Sequence, residues 1–450
     1  MLPENRPLRA NNVMYTFPKI DRQQLANGLR VLWVPDREQR AMTVALQISV
    51  GEFSDPLSYE GTAELTVGLM QKGTESLSPE RFADRLEQTG AALFAETGDE
   101  HSVLGCKMLS RHANEVIPLF WEMVCSPRFD GNELERLKRE MITALQAETS
   151  DPNALANKHF FSLLCGKNHP AGRVHTIQSV KRTGLSQVRA FFTAYFSPEN
   201  SVLVIAGDFN GEDAARWTSL FSSWNNKQTA VQCIAEPLPA LAATSIRLID
   251  KQDITQTYFM LGHPAPGELV ADRNALALAN YILGGGNFSS RLMEHVRSAT
   301  GKTYGIGSQV LCNRKCGIFL IATTTLSIQT AEVLSAILAV YGEFSANGVT
   351  GAELEKAKEF AVGNMAFQLE GIGNITEKLL WLSLYGREQS FIEHFDALIS
   401  AIGKDEVDGA IRSYLSSKHF SIVAVGRKED IRQQLERFGE VTAMHFREAP

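Results

Sequence analysis

Apolar residues recur along this chain with two different periods, and the switches between them mark its elements. The run Leu29 to Pro35 (LRVLWVP) follows the turn pair Asn27-Gly28 and reads as a strand. From Met42 to Val50, the residues Met42, Val44, Leu46, Ile48 and Val50 alternate onto one face, which predicts a second strand. A loop-like SDPLSYE then gives way to GTAELTVGLMQKGT, whose apolar run predicts a helix from Gly61 to about Lys72. Pro79 behind Ser78 has the N-cap and first-turn arrangement of another helix, with Phe82 and Leu86 on its apolar side. AALFAET and HSVLGCKML read as paired strands. The stretch from there to about Tyr195 reads as mostly helical, and Ser201 to Gly207 (SVLVIAG) as a closing strand.

The later part of the chain repeats this plan. Tyr195 to Gly207 lies over Tyr414 to Gly426 at a shift of 219, matching Ser197 with Ser416 and Val204 with Val423. Upstream, GNELERLK from Gly131 lies over GAELEKAK from Gly351 at a shift of 220, so that Glu133, Leu134, Glu135 and Lys138 meet Glu353, Leu354, Glu355 and Lys358. Two separate stretches with nearly the same offset indicate a duplicated unit. Asn225 to Ala243 carries Pro237 and Pro239 and no clear period. The expectation is an α+β protein of two homologous domains, about 15–225 and 243–445, joined by a linker at 226–242 and related by a pseudo-twofold. Each domain would be a mostly antiparallel sheet with helices covering one face.

Composition narrows the function classes. A 450-residue chain with 44% hydrophobic and 21% charged residues is globular and too long for one ordinary core. Its net charge of -7 and pI near 5.9 lack a nucleic-acid footprint. No apolar stretch approaches the ~18–20 residues of a membrane span. The opening MLPENRPLRANNVMYTF has no apolar signal segment, which predicts a cytoplasmic protein, or a periplasmic one if a signal peptide has been removed. Six scattered cysteines form no Cys-x-x-Cys pair and read as small core residues.

The candidate chemistry lies in the helix that begins at Gly61. Its Gly-x-Ala opening and its Lys-Gly-Thr close resemble the frame of the pitrilysin/insulinase-like peptidases. In that family the helix carries His-x-x-Glu-His, two zinc ligands one turn apart with a general base between them. The three chemical positions here are Glu64, Val67 and Gly68, and they cannot build such a site. The resemblance places a third ligand near Thr143 to Leu145, where no carboxylate stands, although Glu140 and Glu148 flank the window. It extends over nearly the whole chain, through LANGLRV, SPRFDGNELERLKRE, the His169-Pro170 loop and NSVLVIAGDF to LGGGNFSSRLMEHVRSATGKTYGIGS.

That last segment holds the family's other signature, an Arg and a Tyr seven residues apart, matched by Arg297 and Tyr304. The resemblance assigns the tyrosine to the scissile carbonyl as it becomes an oxyanion and the arginine to the peptide backbone. It also implies that an extended peptide adds to an edge strand, here Leu93, Phe94, Ala95, Glu96 and Thr97.

Plainer readings stand beside these. A single helical carboxylate such as Glu64 is most often a solvated or salt-bridged surface group. His101, His112, His169 and His175 form no ligand spacing and read as structural or exposed. The glycines 284–286 read as a tight turn, since no phosphate-cradle motif follows.

Two function classes remain. One is the zinc-lacking, Arg/Tyr-bearing subunit of a two-chain zinc endopeptidase, inactive alone. It would hold no cofactor, with zinc in a homologous partner and a peptide or unfolded protein as substrate. The other is a non-catalytic scaffold or peptide-binding subunit, like the respiratory-complex core subunits of this fold. The isolated chain could also pair with itself.

Overall fold

The computed structural model describes residues 17–227, 230–299 and 301–450; the chain's first 16 residues, linker positions 228 and 229 and position 300 lie outside them. Two six-stranded sheets form the frame. The first contains β1 (Asp21–Gln24), β2 (Arg30–Pro35), β3 (Ala41–Ile48), β4 (Ala92–Thr97), β5 (Ser102–Leu109) and β6 (Ser201–Gly207), in the order β1-β2-β6-β3-β5-β4. The second contains β7 (Ser245–Asp250), β8 (Gln256–Pro266), β9 (Thr303–Cys312), β10 (Cys316–Leu326), β11 (Ser421–Gly426) and β12 (Glu440–His445), in the order β12-β7-β11-β8-β10-β9. Both are mixed. The β2–β6 pair is parallel in the first, as are β7–β11 and β7–β12 in the second, and the remaining pairs are antiparallel.

The duplication is visible in this order. From its open edge the first sheet runs β4-β5-β3-β6-β2 and the second β9-β10-β8-β11-β7. Only the far strand differs in origin, since β1 precedes its sheet in sequence and β12 ends its own. Side-chain contacts repeat as well. Lys138 donates to Glu135 at 2.9 Å and to the Lys181 carbonyl at 3.1 Å. Lys358, its counterpart, donates to Glu355 at 3.3 Å and to the Ser400 carbonyl at 3.2 Å.

The helices follow from local signals. α1 (Thr62–Met70) starts at Gly61, which sits at φ 101, a conformation that glycine adopts without strain. α2 (Pro79–Thr89) is capped by Ser78, whose side chain accepts from the Arg81 N–H. α3 (Ala113–Cys125) and α4 (Gly131–Glu148) complete the first layer. They bury Val31, Trp33, Val44, Leu46, Leu203 and Ile205 on one face of the first sheet.

The expectation that helices cover one face only is corrected by the other face. Leu32, Val34, Ala45, Val202 and Val204 pack against Leu379, Leu380 and Leu382 of the helix Gly371–Leu384, which belongs to the second half of the chain. The converse holds for α5 (Pro152–Cys165), whose Leu155, Phe160 and Leu164 pack on Val423 and Val425 of the second sheet. These two helices begin and end 219 residues apart, so the halves exchange equivalent helices. Strands buried on both faces lose their alternation, and every residue of β6 is buried. The exchange is tight at Gly262, where an added Cβ would lie 2.0 Å from the Phe319 carbonyl and 2.9 Å from the Phe160 ring. Among the described residues no helix is long and apolar enough to cross a membrane.

Candidate functional site

The N-terminus of α1 is held by a buried carboxylate instead of a local cap. Asp55 accepts from the Gly61 N–H at 2.6 Å and the Ala63 N–H at 2.7 Å, satisfying two of the helix's orphan donors. Burial pushes its carboxyl up to about 7, against the pull of those two bonds. Arg173 fixes the same corner by donating to the carbonyls of Asp55 at 2.9 Å and Phe53 at 2.8 Å.

Along α1 the three positions that the resemblance sets against the zinc motif have different surroundings. Val67 is buried in the first core and offers no donor. Gly68 faces Leu137, with room for a Cβ at 3.5 Å, so close packing does not require glycine there. Glu64 alone carries a donor. In the third-ligand window, the Thr143 hydroxyl is taken by the Arg139 carbonyl at 2.8 Å and Leu145 is buried. Glu140 turns to Arg136 at 2.9 Å, whereas Glu148 lies 3.4 Å from Lys158 and faces the site. The motif positions and the third-ligand window do not by themselves supply the three protein donors of a catalytic zinc; the three potential donors that converge here are Glu52, Glu64 and His175, within 4.8 Å of one another.

What stands there instead is a histidine. His175 Nε2 is 3.3 Å from Glu52 Oε2 and its Nδ1 is 3.5 Å from Glu64 Oε2. Burial pulls the imidazolium down, but the hydrogen bond and charge of Glu52, with the charges of Glu64 and Asp55, outweigh it and lift His175 to about 9. The Glu64 carboxyl is itself pushed up, first by burial; His175 pulls it down, and Glu52 and Glu148 raise it further. Acid and base both hold their protons more tightly, Glu64 chiefly through burial and His175 through the carboxylates around it. The corner opens into a cavity of ≈ 370 Å³ between the halves, lined by Glu52, Asp55, Glu148 and His175 and, from the second half, by Leu311 and Ile318.

Sequence reasoning left Glu52 unremarked and set His175 among the structural or exposed histidines. Glu64 is salt-bridged, in line with its plain reading, although the partner lies 111 positions away. No local spacing signals this trio, because its members come from three separate segments.

β4 is the open edge of the first sheet. Leu93 and Ala95 point to the helical core, while Phe94 lies flat on Gly105, where a Cβ would meet its ring at 2.0 Å. Phe94, Ala95 and Glu96 also line a groove of ≈ 800 Å³ beneath the helix Gly371–Leu384. Thr97 ends the strand opposite Ser102.

Arg297 and Tyr304 meet at the opposite open edge. Tyr304 is the second residue of β9 and 93% exposed, and Arg297 Nε donates to its carbonyl at 2.9 Å. The guanidinium also lies over the Phe288 ring, 5.1 Å from its centroid. Gly284 and Gly285 end the helical segment Tyr281–Gly285 instead of forming a tight turn, and close β9 contact explains Gly284, for a Cβ there would sit 2.5 Å from Ser308 Oγ. The fold does not bring this pair to Glu64. Leu311, which reaches the cavity, stands seven residues along β9 from Tyr304, or ~23 Å at the rise of a strand.

Known proteins share this arrangement. The profile of the insulinase family, peptidase family M16, matches residues 30–169, and that of the peptidase M16 inactive domain matches residues 184–360. An uncharacterised zinc protease of Mycobacterium leprae is 24% identical over 416 residues, covering 90% of this chain and 91% of that protein. A protein called non-peptidase homolog YmxG, from Helicobacter pylori, is 26% identical over 390 residues, covering 84% and 87%. Among solved structures, a peptidase M16 inactive domain from Pseudomonas fluorescens superposes with a TM-score of 0.83 at 26% identity, covering 91% of this chain and 98% of that one. The periplasmic protease PqqL of Escherichia coli shares the fold at a TM-score of 0.76 and 14% identity, and there the match covers 94% of this chain but 49% of the other. With both profiles together spanning more than half of its length, the chain belongs to the insulinase family of peptidases, family M16.

Proposed function

We propose that this chain is the non-metal-binding subunit of a two-chain zinc endopeptidase, supplying Arg297 and Tyr304 to a homologous partner that holds the metal. One observation carries the reading. A tyrosine kept for packing buries its ring, yet Tyr304 is 93% exposed, and among the described residues nothing accepts from or donates to its hydroxyl. Beside it the Arg297 side chain is fixed twice, by the Tyr304 carbonyl and the Phe288 face. A guanidinium held in place with a free hydroxyl next to it suits an extended peptide whose carbonyl gains negative charge. The likeness to about half of a longer periplasmic protease supports a second chain as the missing half. The β4 edge, from Leu93 to Thr97, would bind peptide by strand addition in either function class.

The scaffold reading draws on the name of the Helicobacter relative, a non-peptidase homolog. Peptide cleavage separates the two. The test uses this chain reconstituted with a homologous chain bearing His-x-x-Glu-His, and size-exclusion chromatography checks assembly. Tyr304→Phe should assemble normally and lose ~10²-fold or more of the turnover. Wild-type cleavage by both Tyr304→Phe and Arg297→Ala would leave the scaffold reading in its place.

A further inference from the structure

We propose that the His175 imidazolium fills, as a cation fixed to the chain, the corner that a metal takes in zinc-bearing relatives, and closes it to divalent metals. The inference rests on reading Glu64, Val67 and Gly68 as the vacated positions. It does not depend on the role given to Arg297 and Tyr304.

The geometry is that of a bridge. Each ring nitrogen faces its own carboxylate, Nε2 toward Glu52 at 3.3 Å and Nδ1 toward Glu64 at 3.5 Å. A carboxylate oxygen within 4 Å of each ring nitrogen favours the protonated ring by charge, so this arrangement suits the cation. A metal-bound imidazole instead gives one nitrogen's lone pair to the ion and keeps a proton on the other alone. His175 is 18% exposed at the side chain, and the two carbonyl bonds of Arg173 hold the backbone that carries it.

The surroundings complete the closure. Glu52, Asp55 and Glu64 act on the ring directly, and Glu60, Asp99 and Glu148 line the same corner, with Arg173 and Lys158 as the other cations. Asp55 is occupied by the two N–H groups of α1, and Glu148 is paired with Lys158. An entering divalent cation would have to displace the ring proton and compete with the Lys158 ammonium, while Val67 and Gly68 give it nothing. The same bridge ties Glu52, Glu64 and His175, which are far apart in sequence, and so fixes α1 against the loop before residue 177.

The experiment is calorimetric titration of the full-length chain with zinc chloride at neutral pH, with a thermal melt of each protein. Wild type should show no stoichiometric binding. His175→Ala leaves Glu52 and Glu64 uncompensated, so it should bind one zinc per chain at least ~10-fold tighter than wild type, and Glu64→Gln in that background should abolish the gain. His175→Ala should also melt several degrees lower and recover on adding zinc. His175→Lys keeps the charge and should behave as wild type in both measurements. Stoichiometric zinc on the wild type, released with a change of His175 to Ala, would make the imidazole a ligand and overturn the proposal. So would a His175→Ala protein that melts like wild type and binds zinc no better. Neither outcome involves cleavage, so neither bears on the two-chain reading.

Discussion

The corner around Glu64 and the edge around Tyr304, which the proposed function pairs as two halves of a peptidase site, have opposite characters. At the first, each charged group has a partner inside the chain. Asp55 holds two backbone N–H groups, Arg173 two carbonyls, His175 two carboxylates, and Glu148 a lysine. At the second, an aromatic ring stands almost wholly in solvent beside an arginine fixed from one side. Internal satisfaction stabilises a fold and leaves little for a ligand. Exposed and oriented groups do the reverse, since they give up burial and keep their bonding capacity for something else.

The contrast predicts which changes affect function and which affect stability. The largest effect is expected from Tyr304→Phe, with ~10²-fold or more lost from turnover in the reconstituted pair. Its denaturation midpoint should equal that of wild type, and a shifted midpoint would mean that the edge is also structural. Asp55→Ala should act the other way, costing about 1–2 kcal/mol through two orphaned N–H groups at α1, measured by urea unfolding.

The pH dependence of stability sharpens the picture of the closed corner. The folded-state pKa values of His175, about 9, and Asp55, about 7, both lie above their ordinary values of 6.5 and 3.8. The folded chain therefore binds more protons in these intervals, and their stabilisation is lost as pH rises. Thermal melts should fall from about pH 4 to 9, and His175→Lys, charged throughout, should flatten the upper part of that fall. The smallest effect is at Gly68. An alanine there finds ordinary contact with Leu137, so Gly68→Ala should stabilise by ~0.5–1 kcal/mol with no change in assembly. A loss of stability would show that α1 packs more closely than the 3.5 Å gap allows.

Local signals made much of the architecture legible. The alternation from Met42 to Ile48 gave β3, the Ser78-Pro79 pair gave the start of α2, and Asn27-Gly28 marked the turn before β2. The shift of 219–220 foretold two equivalent sheets, and it holds down to the paired contacts of Lys138 and Lys358. These features depend on neighbours in sequence or on comparing the chain with itself, so no tertiary knowledge is needed to see them. The spacing of Arg297 and Tyr304 was equally plain, whereas the solvent exposure of the tyrosine was not.

The sequence by itself determined the elements, their duplication and the lack of donor side chains at positions 67 and 68. Only the tertiary structure decided that α5 and the helix Gly371–Leu384 cross to each other's sheet, because an apolar helix face does not encode which apolar sheet will cover it. It also decided that His175 meets Glu52 and Glu64. Charge attraction acts across space between groups that the backbone has already placed, and no periodicity links residue 52 or 64 to residue 175.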